Sequence, residues 1–220
     1  MDTMTDRTPH AKDQTKQELT PNTSGSWASI VKSLVIPRPI AWISTRSASG
    51  VDNLSPHSYF TMVSSDPAII QFVSTGVKDT LRNVLETREF VVNHTPMELF
   101  EKINATGTDY PPEISEFDAA GLTREPSRTV AAPRVAESPA SMECVLHGEP
   151  LGVGNGYVVF GEVRHVAVRP HALGERGPDA RRLDPIARLG HDEWAGLGDI
   201  RSIRRIPYDS IKHPVDGDPT

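Results

Sequence analysis

A single cysteine, Cys144, occurs in 220 residues, so no disulfide forms within the chain and no cage of several thiolates holds a metal. A reducing cytoplasm is the compartment that fits this usage. Long apolar runs are missing as well. Nothing approaches the roughly 20 apolar residues that cross a bilayer, and the first residues lack the apolar centre of a signal peptide. Basic runs are also missing. The formal net charge is -6, which argues against a dedicated nucleic-acid binder. Neither Gly-x-Gly-x-x-Gly nor Gly-x-x-x-x-Gly-Lys-Ser/Thr occurs, so the usual glycine-rich turns of nucleotide folds are excluded. No Gly-x-Ser-x-Gly elbow supports a serine nucleophile. The histidines show no spacing that places two metal ligands on one element, and no metal site is expected.

What is present is organised around residues 34–60. Ala41, Trp42 and Ile43 have the apolar, β-favouring character of a buried strand, and Ser47-Ala48-Ser49-Gly50 lets the chain reverse into a second strand. The ends of this hairpin are polar in an unusual way. Arg38 sits between two prolines, Ser44 and Thr45 close the first strand, and Asn53-Leu54-Ser55-Pro56-His57-Ser58 opens the next. Prolines remove donors and hydroxyls contribute little to a core, so this edge is read as shaped for a ligand.

Around it the chain divides into three parts. Residues 1–25 carry almost no large apolar side chains and read as a disordered leader. Residues 26–207 form one domain, and 208–220 a polar tail. Ile30 to Val35 reads as a short helix or strand. Ala68 to Ser74 is a strand, and a helix follows through Leu81, Val84 and Leu85, with Asp79 or Thr80 as its cap. Phe90 to Asn93 is a buried strand, and Met97 to Ile103 a second amphipathic helix. Residues 106–139 are proline-rich and weakly periodic, a segment expected to cover a site or wrap a partner subunit. Strands return at Met142 to Leu146 and Tyr157 to Val168, with Gly154-Asn155-Gly156 as the turn between them. About six strands with two or three helices, lacking regular alternation, predict an antiparallel barrel with inserted helices.

Lys78-Asp79-Thr80 joins a cation and a hydroxyl to a helix start, where free donors and the dipole favour an anion. The commoner reading of such a triplet is a simple cap with a solvated lysine. Arg38 has two readings of the same kind, a solvated side chain or a fork onto phosphate. His57 either packs or lines a pocket. Cys144, in an apolar strand, reads as a small buried hydrophobe.

In order along the chain, Pro37-Arg38-Pro39-Ile40-Ala41-Trp42-Ile43-Ser44-Thr45, Asn53-Leu54-Ser55-Pro56-His57-Ser58-Tyr59-Phe60, Lys78-Asp79-Thr80 with Asn83, Glu89 to Asn93, Glu116-Phe117, Ala120-Gly121-Leu122, Glu143-Cys144, Gly161-Glu162-Val163 and Arg188-Leu189-Gly190 resemble the flavin reductase-like family. The resemblance implies a mainly β fold with inserted helices, the FMN-binding split barrel, a six-stranded antiparallel Greek-key barrel. It implies a homodimer with one FMN per subunit. Ser44 and Thr45 would contact the flavin tail, Asn53, Leu54, Ser55, Pro56, His57 and Ser58 the ring, Lys78 and Thr80 the phosphate with Arg38 nearby, and Arg188 the ring border, with Trp194 as the aromatic residue that follows. His57 would line the nicotinamide pocket.

The function expected from the resemblance is an FMN-binding NAD(P)H:flavin oxidoreductase using NADH or NADPH as co-substrate and supplying reduced flavin to a partner monooxygenase. The alternatives are an FMN-binding electron-transfer or flavin-carrier module without NAD(P)H turnover, and a barrel kept only as an interaction scaffold.

Overall fold

In a computed structural model, residues 16–22 and 26–208 are described; most of the leader and nearly all of the tail delimited above lie outside them. Helix α1 (Trp27–Leu34) resolves the ambiguity of Ile30 to Val35 in favour of a helix, with Ser26 as its cap, its side chain accepting from Ser29 N. The strands of three residues or more are β1 (Ala41–Arg46), β2 (Asp52–His57), β3 (Phe60–Ser65), β4 (Ala68–Ser74), β5 (Glu89–Asn93), β6 (Ala140–Leu146), β7 (Leu151–Val153) and β8 (Gly156–Val168). Helix α2 (Asp79–Thr87) lies between β4 and β5, and α3 (Phe100–Ala105) and α4 (Glu116–Ala119) follow β5.

All eight strands join one antiparallel sheet in the order β2-β1-β5-β6-β8-β4-β3, with β7 pairing on β8. Strands β2 and β3 stand at opposite ends of that order, yet only Ser58 and Tyr59 separate them in the chain. Two residues span no more than about 11 Å between the flanking Cα atoms, so the sheet must curl until its two ends nearly meet. Val73 N donates to Tyr59 O at 3.0 Å and ties the crossing to β4. The result is a split barrel whose seam runs along β2.

Two apolar clusters fill it. Ala41, Ile43, Phe72, Leu81, Phe90 and Val159 pack on the inner face, whereas Ile40, Trp42, Leu54, Ile103, Phe117 and Val135 pack between the outer face of β1 and β2 and the covering segment. The period of two along β1 divides its side chains between these clusters. The Gly161 Cα faces Phe90 so closely that an added Cβ would stand 2.3 Å from the Phe90 Cζ. Gly161→Ala is expected to cost about 1–3 kcal/mol by overpacking, read from the shift in the urea midpoint; an unchanged midpoint would contradict this packing.

The sheet has two strands more than the expected six. The turn at Gly154-Asn155 does not connect β6 to β8 directly; it connects β7 to β8, and β7 is a short exposed strand. Helix α2 begins at Asp79, so Asp79 and Thr80 are its first two residues, not its cap. Lys78 holds the cap position and gives no side-chain cap bond. The segment 106–139 is ordered by partners distant in sequence. Asn93 Oδ1 accepts from Val135 N and from the Ser141 hydroxyl, each at 2.9 Å, and its Nδ2 donates to Trp42 O and Ser44 Oγ. Glu143, fully buried, accepts from Arg128 N and from both the amide and the hydroxyl of Thr129. This strap packs over the outer face of β1 and β2 through Phe117, Leu122 and Val135.

Candidate functional site

Three of the expected site residues are bonded to one another. Asn53 Oδ1 accepts from Thr80 Oγ1 at 2.9 Å and from Thr45 Oγ1 at 3.4 Å, and Thr45 Oγ1 accepts from Asn83 Nδ2 at 2.9 Å. Asn53 Nδ2 donates to Glu116 Oε1 at 2.9 Å, and Leu54 N donates to Glu116 Oε2 at 2.9 Å. This buried chain of bonds locks β2 to the first turn of α2 and to the start of α4. Burial raises the Glu116 pKa, against the hydrogen bonds from Leu54 and Asn53 that lower it. Glu116 was not among the expected site residues. Within its proline-rich stretch Glu116-Phe117-Asp118 reads as a packing point, and nothing local shows that its carboxylate meets Leu54 N and Asn53 Nδ2.

Ser44 is fully buried under the strap, donating to Pro133 O at 2.5 Å. Its hydroxyl is spent there, so a direct contact with a flavin tail finds no free group. Arg38 is similarly committed. Its Nη1 donates to Lys32 O at 2.5 Å and Val35 O at 2.9 Å, and its Nη2 to Leu189 O at 2.6 Å. The guanidinium thus clasps the end of α1 to the segment after Arg188, whose Ala187–Arg188 pair with Arg38–Pro39. It leaves one donor, Nε, buried without a partner.

Among the cavities that open along β2, two gather most of the expected site residues. One, of about 310 Å³, is lined by Asn53, Ser55, Lys78, Thr80, Gly107 and Thr108 among others. Here the amino end of α2, left without a side-chain cap, meets the Lys78 ammonium, which pairs at 2.6 Å with the exposed Asp109. Such an exposed pair is worth at most about 1 kcal/mol and exchanges readily for another anion. The second cavity, of about 230 Å³, lies at the seam and is lined by Arg38, Pro56, His57, Ser58, Tyr59 and Arg188 among others. Arg188 lies with its guanidinium carbon 4.6 Å from the ring centre of Trp194, which backs it from outside the cavity lining.

The His57 ring stands 4.9 Å from Phe72, its Nδ1 is 3.1 Å from Val73 O, and its Nε2 is buried without a partner. Burial lowers its pKa from the usual 6.5 to about 4, with the Val73 hydrogen bond opposing and the Lys78 charge assisting. The imidazole is therefore neutral at pH 7. A depressed pKa in the folded state stabilises the fold fully above pH 6.5, and that stability is lost as pH falls towards about 4, roughly 3 kcal/mol in all. His94, also lowered by burial, acts in the same direction. His57→Phe is expected to flatten the limb between pH 6.5 and 4 in urea titrations; an unaltered limb would assign it to other groups. The Cys144 thiol, pushed up to about 12 by burial, offers no nucleophile. Among the described residues no group of three or more His, Cys, Asp or Glu gathers to hold a metal ion, and no helix is long and apolar enough to cross a membrane.

The Flavin reductase like domain model matches residues 33–185, which include β1 to β8, the strap and most of the lining of both cavities, Arg188 lying beyond the match. The chain belongs to the flavin reductase-like family. A curated relative, an uncharacterised protein of Aquifex aeolicus, is 41% identical over 167 residues, covering 73% of this chain and 85% of its own. The crystal structure of nitrilotriacetate monooxygenase component B from Bacillus cereus superposes with a TM-score of 0.80 at 32% identity, over 86% of this chain and 99% of that one. A split barrel domain protein from Shewanella frigidimarina superposes with a TM-score of 0.73 at 28% identity, over 82% of this chain and 91% of that one. The fold is the split barrel that the sequence resemblance implied, and family membership places the chain among proteins of flavin-related oxidoreduction.

Proposed function

We propose that the chain binds FMN along β2 and acts as an NAD(P)H:flavin oxidoreductase. The observation that carries this reading is the polar track on β2, which starts at an uncapped helix end with a lysine beside it and ends at a seam cavity lined by Arg38, His57, Ser58 and Arg188. A phosphorylated flavin has the matching order of groups, with an anion at one end and a flat ring with amide edges at the other.

In this reading Lys78 and the α2 amino end take the phosphate, by charge and by free backbone donors. The Thr80 hydroxyl, bonded to Asn53, orients that end. Ser55, Pro56, His57 and Ser58 lie along the ring, and Arg188 with Trp194 borders it. Thr45, Asn53 and Leu54 hold the strand in register through Glu116, while Ser44 and Arg38 fix the strap and α1 around it. Bound FMN supplies the hydride acceptor for NADH or NADPH. The chain's own task is to orient the two rings and keep water from the seam. A neutral His57 and an inert Cys144 fit a site in which no protein base or nucleophile is required.

A homodimer belongs to the same reading. Leu34, Val35, Ile36, Met62 and Val63 are large apolar residues left 76, 58, 47, 58 and 50% exposed, and Arg38–Pro39, which follows the first three, neighbours β3, which carries the other two. A second copy covering these residues would close the flavin site. Reduced flavin passed to a monooxygenase is supported by the likeness to a monooxygenase component B. The test is steady-state oxidation of NADH and NADPH with and without added FMN. Turnover that depends on free FMN supports a reductase; reduction of bound flavin without turnover would contradict it and favour an electron-transfer module.

A further inference from the structure

The part of the strap between α3 and α4 is held at both ends and loose in the middle. At one end Thr106 is buried, accepting from Trp42 Nε1 and donating to Ile103 O, each at 2.8 Å. At the other end Ser115, Glu116 and Phe117 are buried, and Glu116 is bonded to β2 through Leu54 N and Asn53 Nδ2. Between these anchors residues 107–114 are exposed, apart from the half-buried Tyr110. Their backbone bonds are short-range: Gly107 N donates to Asn104 O, Thr108 N to Ala105 O, Tyr110 N to Thr108 O and Ile114 N to Pro111 O. Among the described residues, a single polar bond ties this loop to the protein beyond α3, from Lys78 Nζ to Asp109 Oδ1 at 2.6 Å. The same loop walls the cavity proposed for the phosphate, which residues 107–110 and Pro112 line together with Lys78 and Thr80. The cation that holds the loop is therefore the cation assigned to the ligand. Carboxylate and phosphate both offer anionic oxygens to an ammonium, and an exposed pair of this kind exchanges partners at little cost.

We infer that Asp109 is a latch, holding loop 107–114 against the cavity until an incoming phosphate takes Lys78 from it and releases the loop. This rests on the flavin reading above and deepens it by adding a device that regulates the same cavity. An ordinary lid tightens on its ligand; this loop is held best before the ligand arrives. Once the phosphate is seated, the Asp109 carboxylate meets a like charge and is driven away from the lysine. A ligand without an anion leaves Lys78 paired and the latch closed. The latch also lowers apparent affinity, because phosphate binds only the fraction of molecules in which the pair is open.

The amides of Gly107, Thr108, Tyr110 and Ile114 are hydrogen-bonded, so their hydrogen exchange reports opening of the loop. Exchange would be read by mass spectrometry on the full-length protein and on Asp109→Asn and Asp109→Glu, each without ligand, with saturating FMN and with saturating riboflavin. In wild type FMN is expected to speed exchange across the loop by about two- to fivefold, the range that an exposed ion pair supports, and riboflavin to leave it unchanged. Asp109→Asn is expected to exchange at the faster rate without ligand and to show no further rise with FMN, whereas Asp109→Glu keeps the latch and follows wild type. The association rate constant of FMN, followed by flavin fluorescence in stopped flow, is expected to rise by a similar factor in Asp109→Asn. FMN uptake that leaves loop exchange unchanged or slows it overturns the inference alone. So does an equal effect of riboflavin, or an Asp109→Asn loop as slow as that of wild type. Absence of FMN uptake by wild type overturns the functional reading and this inference with it.

Discussion

Glu116→Ala is expected to lower the unfolding free energy by about 4 kcal/mol. The carboxylate accepts from Leu54 N and from Asn53 Nδ2 at a position only 6% exposed, and its removal leaves both donors buried without a partner, at about 1–3 kcal/mol each. The damage extends beyond Glu116 itself. Asn53 is the acceptor for Thr80 and Thr45, so releasing its amide loosens the contact between β2 and the first turn of α2. Glu116→Gln keeps one carbonyl acceptor and introduces a donor that meets another donor, and is expected to lose roughly half as much. Urea denaturation of the three proteins decides this. A loss below about 1 kcal/mol for Glu116→Ala would mean that water replaces the carboxylate and that the network does not hold the strand.

Lys78→Ala is expected to weaken FMN by roughly 10- to 100-fold while leaving riboflavin nearly unchanged. The ammonium contacts only the phosphate in the proposed pose, and a charge-assisted hydrogen bond is worth about 1.5–3 kcal/mol. In the free protein Lys78 is paired with Asp109, both well exposed, so the substitution costs the fold little. The affinity change then reports the ligand contact and not a damaged fold. Asp109→Ala is expected to change FMN affinity in the opposite sense by a small factor, since it frees the lysine. Equal weakening of FMN and riboflavin by Lys78→Ala would move the phosphate elsewhere.

The strands of the central hairpin and the α2 segment were legible because their signals are local: alternation along residues 41–46, a small-residue turn, and apolar residues at helical spacing. Strand β7 was not legible. It has three exposed residues, one of them Gly152, and exists because β8 offers an edge to pair with. The strap was read as a cover but without its inner structure, because Asn93, Glu116 and Glu143 order it through bonds that span 42, 63 and 15 residues. For the site, residue type was informative and side-chain direction was not. Ser44 and Leu54 pair across β1 and β2, and both are buried on the face covered by the strap, while Asn53 is bonded to α2. The Arg38 guanidinium, expected near a phosphate, instead holds three carbonyls, a role that depends on α1 folding back over it. In each case the polar residue was recognised as unusual, and its partner was fixed by chain that arrives much later in the sequence or by the curvature of the sheet.

The most direct test is a titration of the purified, flavin-free protein with FMN and, separately, with riboflavin, followed by quenching of flavin fluorescence. Saturation at one FMN per chain, with riboflavin bound more weakly by at least tenfold, is the predicted result. An FMN curve that does not saturate, or riboflavin bound as tightly as FMN, would contradict the claim that β2 and the uncapped end of α2 together grip a phosphorylated flavin.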